Sequence, residues 1–174
     1  GLVSAVSPTT PTDSAHDFLL RLLPWFFGVL NCALVYRVAL ALYRSPSTAL
    51  CAAFLFAIAP FQIYYAQELR IYGLYVTLSL FAVWSMAAAL SENRRHHWAG
   101  YIASLTLLMY CHYVSMWLIF TLNVTFVALL WKYKAHLLRW TAANALLMLL
   151  IAPALFRAFT LNAEVQGLAI AWYP

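Results

Sequence analysis

Residues 98–131 read WAGYIASLTLLMYCHYVSMWLIFTLNVTFVALLW, which is 34 residues without a Lys, Arg, Asp or Glu. A single helix of that length would extend about 51 Å at 1.5 Å per residue, which is much longer than the ~30 Å hydrocarbon core of a bilayer. Two shorter helices fit a membrane better. Residues 110–113, YCHY, form the polar island where we predict the break between them, so that the chain returns to the side it left.

The composition of the whole chain agrees with a membrane location. Apolar residues make up 66% of the chain and charged residues only 9%, far below the roughly 25% of an ordinary soluble domain. A soluble protein of this length would lack polar residues for its surface. The net charge of +5 comes from short clusters between apolar runs, which indicates membrane topology and argues against nucleic-acid binding. The three separated cysteines suggest neither a disulfide framework nor a thiolate metal site.

The remaining apolar sequence divides into further spans. They lie at about residues 22–42, 48–60, 67–90 and 140–155. Together with the two halves of residues 98–131, they predict an all-α integral membrane protein with about six transmembrane segments, several of them short. By domain, residues 1–19 are predicted to form a polar loop, residues 20–158 a helical bundle, and residues 159–174 the start of another loop.

The distribution of cations predicts the orientation of this layout. Three cations fall on one side, namely Arg21, Arg70 and Arg157, and seven on the other, namely Arg37, Arg44, Arg94, Arg95, Lys132, Lys134 and Arg139. Because cytoplasmic loops carry an excess of Lys and Arg, the second side is predicted to be cytoplasmic. Both ends of the chain and residues 60–73 would then face the outside.

Residues 60–73, PFQIYYAQELRIYG, hold the densest group of polar side chains between apolar runs. Arg70 lies near the start of the third predicted helix, where the helix dipole disfavours a cation. A guanidinium offers a planar fork of donors suited to two phosphate oxygens, so an anionic lipid head group is its natural partner. The alternative is an interfacial arginine that reaches ordinary phospholipid, within a belt of tyrosines at the head-group level.

Other polar residues have ordinary structural explanations beside functional ones. His112 with Tyr113 is typical of a hydrogen-bonded helix break, although a histidine can also act as a base. His96 and His97 are predicted to lie in a solvated loop. Asp13 and Asp17 are spaced like an acid/base pair on one helical face, with His16 between them, but the region around Asp13 also fits a helix N-terminus.

Several motifs carry a resemblance to a known family. They are RLLP at residues 21–24, APFQIYYAQELRIYG at 59–73, YCHY at 110–113 and AWYP at 171–174. Together they resemble the bacterial glycosyltransferases of the GT-C superfamily, most closely the branch related to protein O-mannosyltransferases and the lipid A aminoarabinose transferase. The resemblance implies a partial GT-C helical bundle in the bacterial inner membrane, with its site facing the periplasm or exterior.

The implied reaction transfers a sugar from a polyprenyl-phosphate carrier to an acceptor protein or glycolipid, with inversion at the anomeric carbon. The bilayer is the other implied partner, nucleic acid is not, and no cofactor is predicted, while assistance by a divalent metal stays open. The candidate substrate-binding residues are Arg70, Glu68, Gln67, Tyr72, Tyr64, Tyr65, His112 and Tyr113.

The resemblance also suggests roles for these residues. Arg70 would stabilise the leaving lipid phosphate, because that anion needs a fixed cation more than it needs an acid. Glu68 would orient Arg70 or the acceptor, with Gln67 and Tyr72 as polar neighbours. Tyr64 and Tyr65, outside the Gln-Glu-x-Arg-x-Tyr element, would line the groove where the prenyl chain meets the head group.

The catalytic base of the family has no clear counterpart in this chain. In the family, an aspartate or Asp-Glu pair follows a first transmembrane helix, upstream of the Arg-Leu-Pro motif. The base is therefore expected upstream of Gly1, with Asp13 and Asp17 as weak candidates, and the chain alone is expected to be inactive. Two other classes stay open, namely a transporter or channel piece with Glu68, Arg70 and His112 along a polar path, and a structural membrane subunit.

Overall fold

A computed structural model of the chain describes residues 11–66 and 71–171, with side chains at 22–66, 71–157 and 160. This part is all-helical and contains no strand. Its helices are α1 (Pro11–Tyr43), α2 (Pro46–Ala57), α3 (Pro60–Tyr65), α4 (Tyr72–Glu92), α5 (Arg95–Cys111), α6 (Ser115–Ala128), α7 (Leu130–Tyr133) and α8 (Leu137–Ala171), with a 3₁₀ turn at Lys134–His136 before α8.

In the part of the chain that the structure describes, three segments are long and apolar enough to cross a membrane. They are Leu22–Tyr43 in α1, Tyr72–Glu92 in α4 and Leu130–Arg157, which runs from α7 into α8. Helices α2 and α6 are apolar but have only 12 and 14 residues, which is shorter than the about 20 residues of a full crossing. The prediction of an all-α chain with apolar membrane-length helices is thus confirmed for the described residues, and six complete spans stay a prediction.

Helix α4 lies at the centre of the packing. Helix α1 packs on one side of it and α5 on the other, while α2 packs on α1 and α8 packs on α5. Small residues such as Ala82 and Ala89 are fully buried in α4, and small side chains let membrane helices approach closely. The main buried core joins α4, α5, α6 and α8 around Tyr101, Leu105 and Phe126.

The predicted break in residues 98–131 is confirmed. Helix α5 ends at Cys111, His112 is extended, and α6 begins at Ser115. The buried Ser115 hydroxyl lies 2.7 Å from the Leu108 carbonyl oxygen and 2.6 Å from that of His112. It therefore satisfies carbonyls that the ending helix leaves without a partner.

The helix boundaries correct two predicted loops. Helix α1 begins at Pro11, so residues 11–19 are helical and not a loop. This stretch is helical even though it lacks an apolar pattern. Helix α8 likewise continues through 159–171, because Pro153 does not end it and no glycine or proline interrupts residues 154–166. Residues 1–10 and 172–174 lie outside the described part.

The cation-rich loops come together at one end of the bundle. Arg139 at the start of α8 donates from Nη1 to the carbonyl and side-chain oxygens of Asn93, after α4. Arg37 of α1 lies over the ring of Trp84, 5.9 Å from its centroid. His97, predicted to be solvated, is instead buried, because its Nε2 meets a Glu92 carboxylate oxygen at 3.2 Å and its ring packs on Trp84.

Candidate functional site

Three of the predicted tyrosines form one aromatic cluster at the opposite end of the bundle. Tyr64 and Tyr65 end helix α3, with ring centroids 5.4 Å apart in an edge-on arrangement. Tyr65 also contacts Tyr72, the first residue of α4, at 4.8 Å. Aromatic pairs at these distances contribute about 0.5–1.5 kcal/mol beyond the burial of their surface. The cluster therefore links the two helices that flank residues 67–70.

An apolar cavity of about 270 Å³ adjoins this cluster. Tyr65 and Tyr72 line it together with Gln62, and its other walls come from α1, α2 and α4, including Phe56 and Val76. The cavity thus combines an apolar wall with two phenols and an amide. That combination suits an amphiphilic ligand with an apolar chain and a polar head.

Close contact with helix α1 fixes the position of α3. A Cβ atom on Gly28 would lie only 3.0 Å from the Cβ of Ala66, so a larger residue there would push the two helices apart by a few tenths of an ångström. The space is also used by Gln62, whose Nε2 donates to the Gly28 carbonyl oxygen at 3.3 Å. The short helix, which has only six residues, is held on α1 by this bond and by packing.

A buried polar group fixes the start of α4 against α1. Asn31 is fully buried, and its Nδ2 donates to the Gly73 carbonyl oxygen at 3.2 Å. The Thr77 hydroxyl lies 2.7 Å from Asn31 Oδ1 and 2.9 Å from the same Gly73 oxygen, so it shares its proton between them. Buried polar groups joined in this way rigidify a packed interface. Because Gly73 follows Tyr72 directly in the chain, these bonds also fix the position of Tyr72.

His112 joins the same end of the bundle. It lines a second cavity of about 190 Å³ with Tyr72, Tyr75 and Val114. The backbone N–H of Val114 donates to His112 Nδ1 at 3.2 Å, so the neutral ring carries its proton on Nε2 and can donate from there. The Tyr113 ring stacks on the His112 ring at 4.7 Å. Tyr72 thus borders both cavities, one toward α3 and one toward the α5–α6 break.

The structure therefore brings together part of the predicted site. Tyr64, Tyr65 and Tyr72 are in contact, and His112 with Tyr113 adjoins Tyr72 through the second cavity. Gln67, Glu68 and Arg70 lie outside the described residues, and so does the predicted start of the third helix near Gln67. Asp13 and Asp17 lie in the first turns of α1, and their side chains are likewise outside the described part.

Some positioning residues were missed by sequence reasoning. Asn31 and Gln62 are two of them, because neither was predicted to have a role. A signal for Asn31 existed, because an amide inside a membrane-length helix is costly unless it is hydrogen-bonded. Gly28 and Thr77 gave no comparable signal, since both residue types are common in such helices.

Among the side chains that the structure describes, at residues 22–66, 71–157 and 160, no group of three or more His, Cys, Asp or Glu is placed to hold a metal ion. The described part of the site therefore offers phenols, an amide and an imidazole, which bind and orient polar groups by hydrogen bonds. No protein-family model, curated protein sequence or solved structure matched the chain.

Proposed function

We propose that the chain is part of a membrane glycosyltransferase that moves a sugar from a polyprenyl-phosphate carrier to an acceptor at the outer face of the membrane. The proposal rests on the motif that continues from Gln67-Glu68 through Arg70 to Tyr72, which resembles that of the GT-C enzymes. One structural observation supports it most. Tyr65, which precedes this motif, and Tyr72, which ends it, contact each other at 4.8 Å and line the same apolar cavity.

The two kinds of wall in the cavity match the two parts of the proposed donor. The isoprenoid chain is apolar and would pack against residues such as Phe56 and Val76. The phosphate and sugar are polar and would lie toward the phenols of Tyr65 and Tyr72, near the segment that carries Arg70. A ligand of this kind gains affinity from the burial of its apolar surface and orientation from a few polar contacts.

The reaction assigns separate tasks to separate groups. An acceptor oxygen forms a bond to the anomeric carbon while the bond from that carbon to the phosphate oxygen breaks, and the phosphate leaves as an anion. A carboxylate base takes the acceptor proton. Arg70 stabilises the negative charge that develops on the phosphate. In this proposal the chain supplies the donor side of the site, and the base comes from another part of the enzyme.

Filling the cavity tests the proposal. Replacing Val76 with tryptophan is expected to weaken the binding of a polyprenyl phosphate by about tenfold or more. The larger ring occupies space that the isoprenoid chain needs, and the lost burial of only two CH₂ groups already costs about 1.6 kcal/mol of binding free energy. Binding of a fluorescent polyprenyl phosphate to the purified protein in detergent measures the effect.

A matched control uses Val127, which is exposed on α6 and lines neither cavity at the site. Val127→Trp is expected to bind the same probe as the unsubstituted protein does. Equal binding by the Val76 and Val127 variants would contradict the assignment of the cavity to the isoprenoid chain.

A further inference from the structure

A groove between α5 and α8 has a charged end and an apolar floor. Its volume is about 270 Å³, and Arg95 and Arg139 both line it. Ile102 lies seven residues after Arg95 on α5, and Leu146 lies seven residues after Arg139 on α8; both also line the groove. Seven residues are two helical turns, about 10.5 Å along the axis, and bring a side chain back to the same face.

The two helices run in the same direction along this groove. Both start at the cation-rich end, where Arg139 bonds to Asn93 just before α5. The arginines therefore lie together at one end, and the apolar floor extends away from them between the helices. A cationic end and an apolar floor two turns long match the shape and polarity of a lipid.

The cations at this end differ in what they already bind. The Arg94 guanidinium pairs with Glu92 at 3.3 Å. Arg139 uses Nη1 for Asn93, which leaves its Nε and Nη2 donors. Arg95 is exposed and has no hydrogen bond or ion pair with any residue that the structure describes. Among the described residues, those that line the groove include no carboxylate, so the positive charge of the groove favours an anion.

Asn93 holds Arg139 toward the groove. Its backbone is left-handed, with φ 53°, a conformation that asparagine adopts more readily than most residues. This turn presents both its carbonyl and its side-chain oxygen to Arg139. The guanidinium is therefore ordered before any ligand binds, which reduces the entropy cost of binding.

We propose that this groove binds an anionic phospholipid, with its phosphate between Arg95 and Arg139 and one acyl chain along Ile102 and Leu146. Arginine suits the phosphate because its planar fork matches two phosphate oxygens. The apolar floor distinguishes a lipid from a free anion, which would gain nothing from Ile102 and Leu146. The site lies at the opposite end of the bundle from Tyr72 and does not depend on the proposed glycosyl transfer.

Lipid titration of the full chain tests the site. The protein is purified in detergent, and native mass spectrometry compares the binding of phosphatidylglycerol and phosphatidylcholine with identical acyl chains. Phosphatidylglycerol is expected to bind about tenfold more tightly, and Arg95→Gln is expected to weaken it about tenfold, as the loss of a charged hydrogen bond does. Because Arg95 has no partner among the described residues, this variant should retain its helix content by circular dichroism.

Two further variants separate the parts of the proposal. Lys134→Gln removes an exposed cation from the same end but outside the groove lining, and it is expected to change binding less than twofold. Ala142 also lines the groove, so Ala142→Trp fills the apolar floor and is expected to weaken the binding of phosphatidylglycerol without a change in charge. Equal binding of both lipids, equal loss in Lys134→Gln and Arg95→Gln, or equally tight binding of glycerophosphate alone would overturn the proposal.

Discussion

Replacing Arg70 with alanine is expected to lower sugar transfer by about 100-fold or more in the enzyme of which we propose this chain is a part. The leaving phosphate gains negative charge in the transition state, and the loss of one fixed donor to such a charge typically costs about 100- to 1,000-fold in rate. Expression and helix content should stay unchanged. Transfer of labelled sugar from a polyprenyl-phosphate donor, measured in membranes, gives the result.

A matched control for Arg70 is Arg157, an exposed arginine on α8 that is predicted to lie on the same side of the membrane. Arg157→Ala removes the same charge and is expected to keep transfer within about twofold of the unsubstituted enzyme, since exposed charges contribute little. Full activity of Arg70→Ala would remove the donor-phosphate role from Arg70. An equal loss in both variants would indicate a general effect of surface charge.

Asn31→Leu is expected to lower the free energy of unfolding by about 2 kcal/mol, because the helix α1 to α4 contact loses two buried hydrogen bonds. Those bonds join Asn31 to the Gly73 carbonyl at 3.2 Å and to the Thr77 hydroxyl at 2.7 Å. Leucine keeps a similar volume, so the loss reports on the bonds rather than on a cavity. Unfolding of the detergent-purified protein by increasing denaturing detergent measures the change.

Asn123 provides the control for Asn31. Its Nδ2 donates at 2.8 Å to the Ile119 carbonyl one turn earlier in its own helix. This bond lies within α6 and does not connect two helices. Asn123→Leu is expected to change the free energy of unfolding by less than about 0.5 kcal/mol. If Asn31→Leu were as stable as Asn123→Leu, the buried group would not hold α4 in place, and the order of Tyr72 would need another cause.

The helical layout was largely predictable because the bilayer imposes strong limits on length and polarity. The uncharged residues 98–131 are too long for one crossing, and the break appeared at the predicted polar island, where α5 ends at Cys111. The cation-rich turns also lie at one end of the bundle, as expected for a chain whose helices run alternately in opposite directions. Helix ends were harder to predict, because residues 11–19 are helical without any apolar pattern.

The burial of His97 could not be predicted from its neighbours in the sequence. It follows two arginines and a histidine, which is typical of a solvated loop, yet it packs on Trp84 and meets Glu92. Both partners belong to α4, and the turn before α5 brings them close. Such a pairing depends on how two helices pack, which spacing along one helix does not reveal.

In the candidate site too, some features could be predicted from the sequence and others could not. Tyr64, Tyr65 and Tyr72 are close in sequence, but the short helix α3 that brings Tyr65 onto Tyr72 was not predicted. The approach of His112 to Tyr72 depends on α5 returning beside α4, and the shared cavity is a product of that packing. Asn31 and Gly28 act from α1, more than 30 residues away, so only the tertiary structure identifies them as positioning residues.

We propose above all that the segment around Tyr65 and Tyr72 binds a polyprenyl-phosphate sugar. The most direct measurement is the consumption of such a donor by the proposed enzyme, purified and placed in a lipid bilayer. A panel of polyprenyl-phosphate-linked sugars and membrane acceptors would be followed for release of polyprenyl phosphate. We expect release with at least one sugar, dependent on Arg70. Absence of release with every donor, from a folded enzyme that also fails to bind polyprenyl phosphate, would contradict the claim.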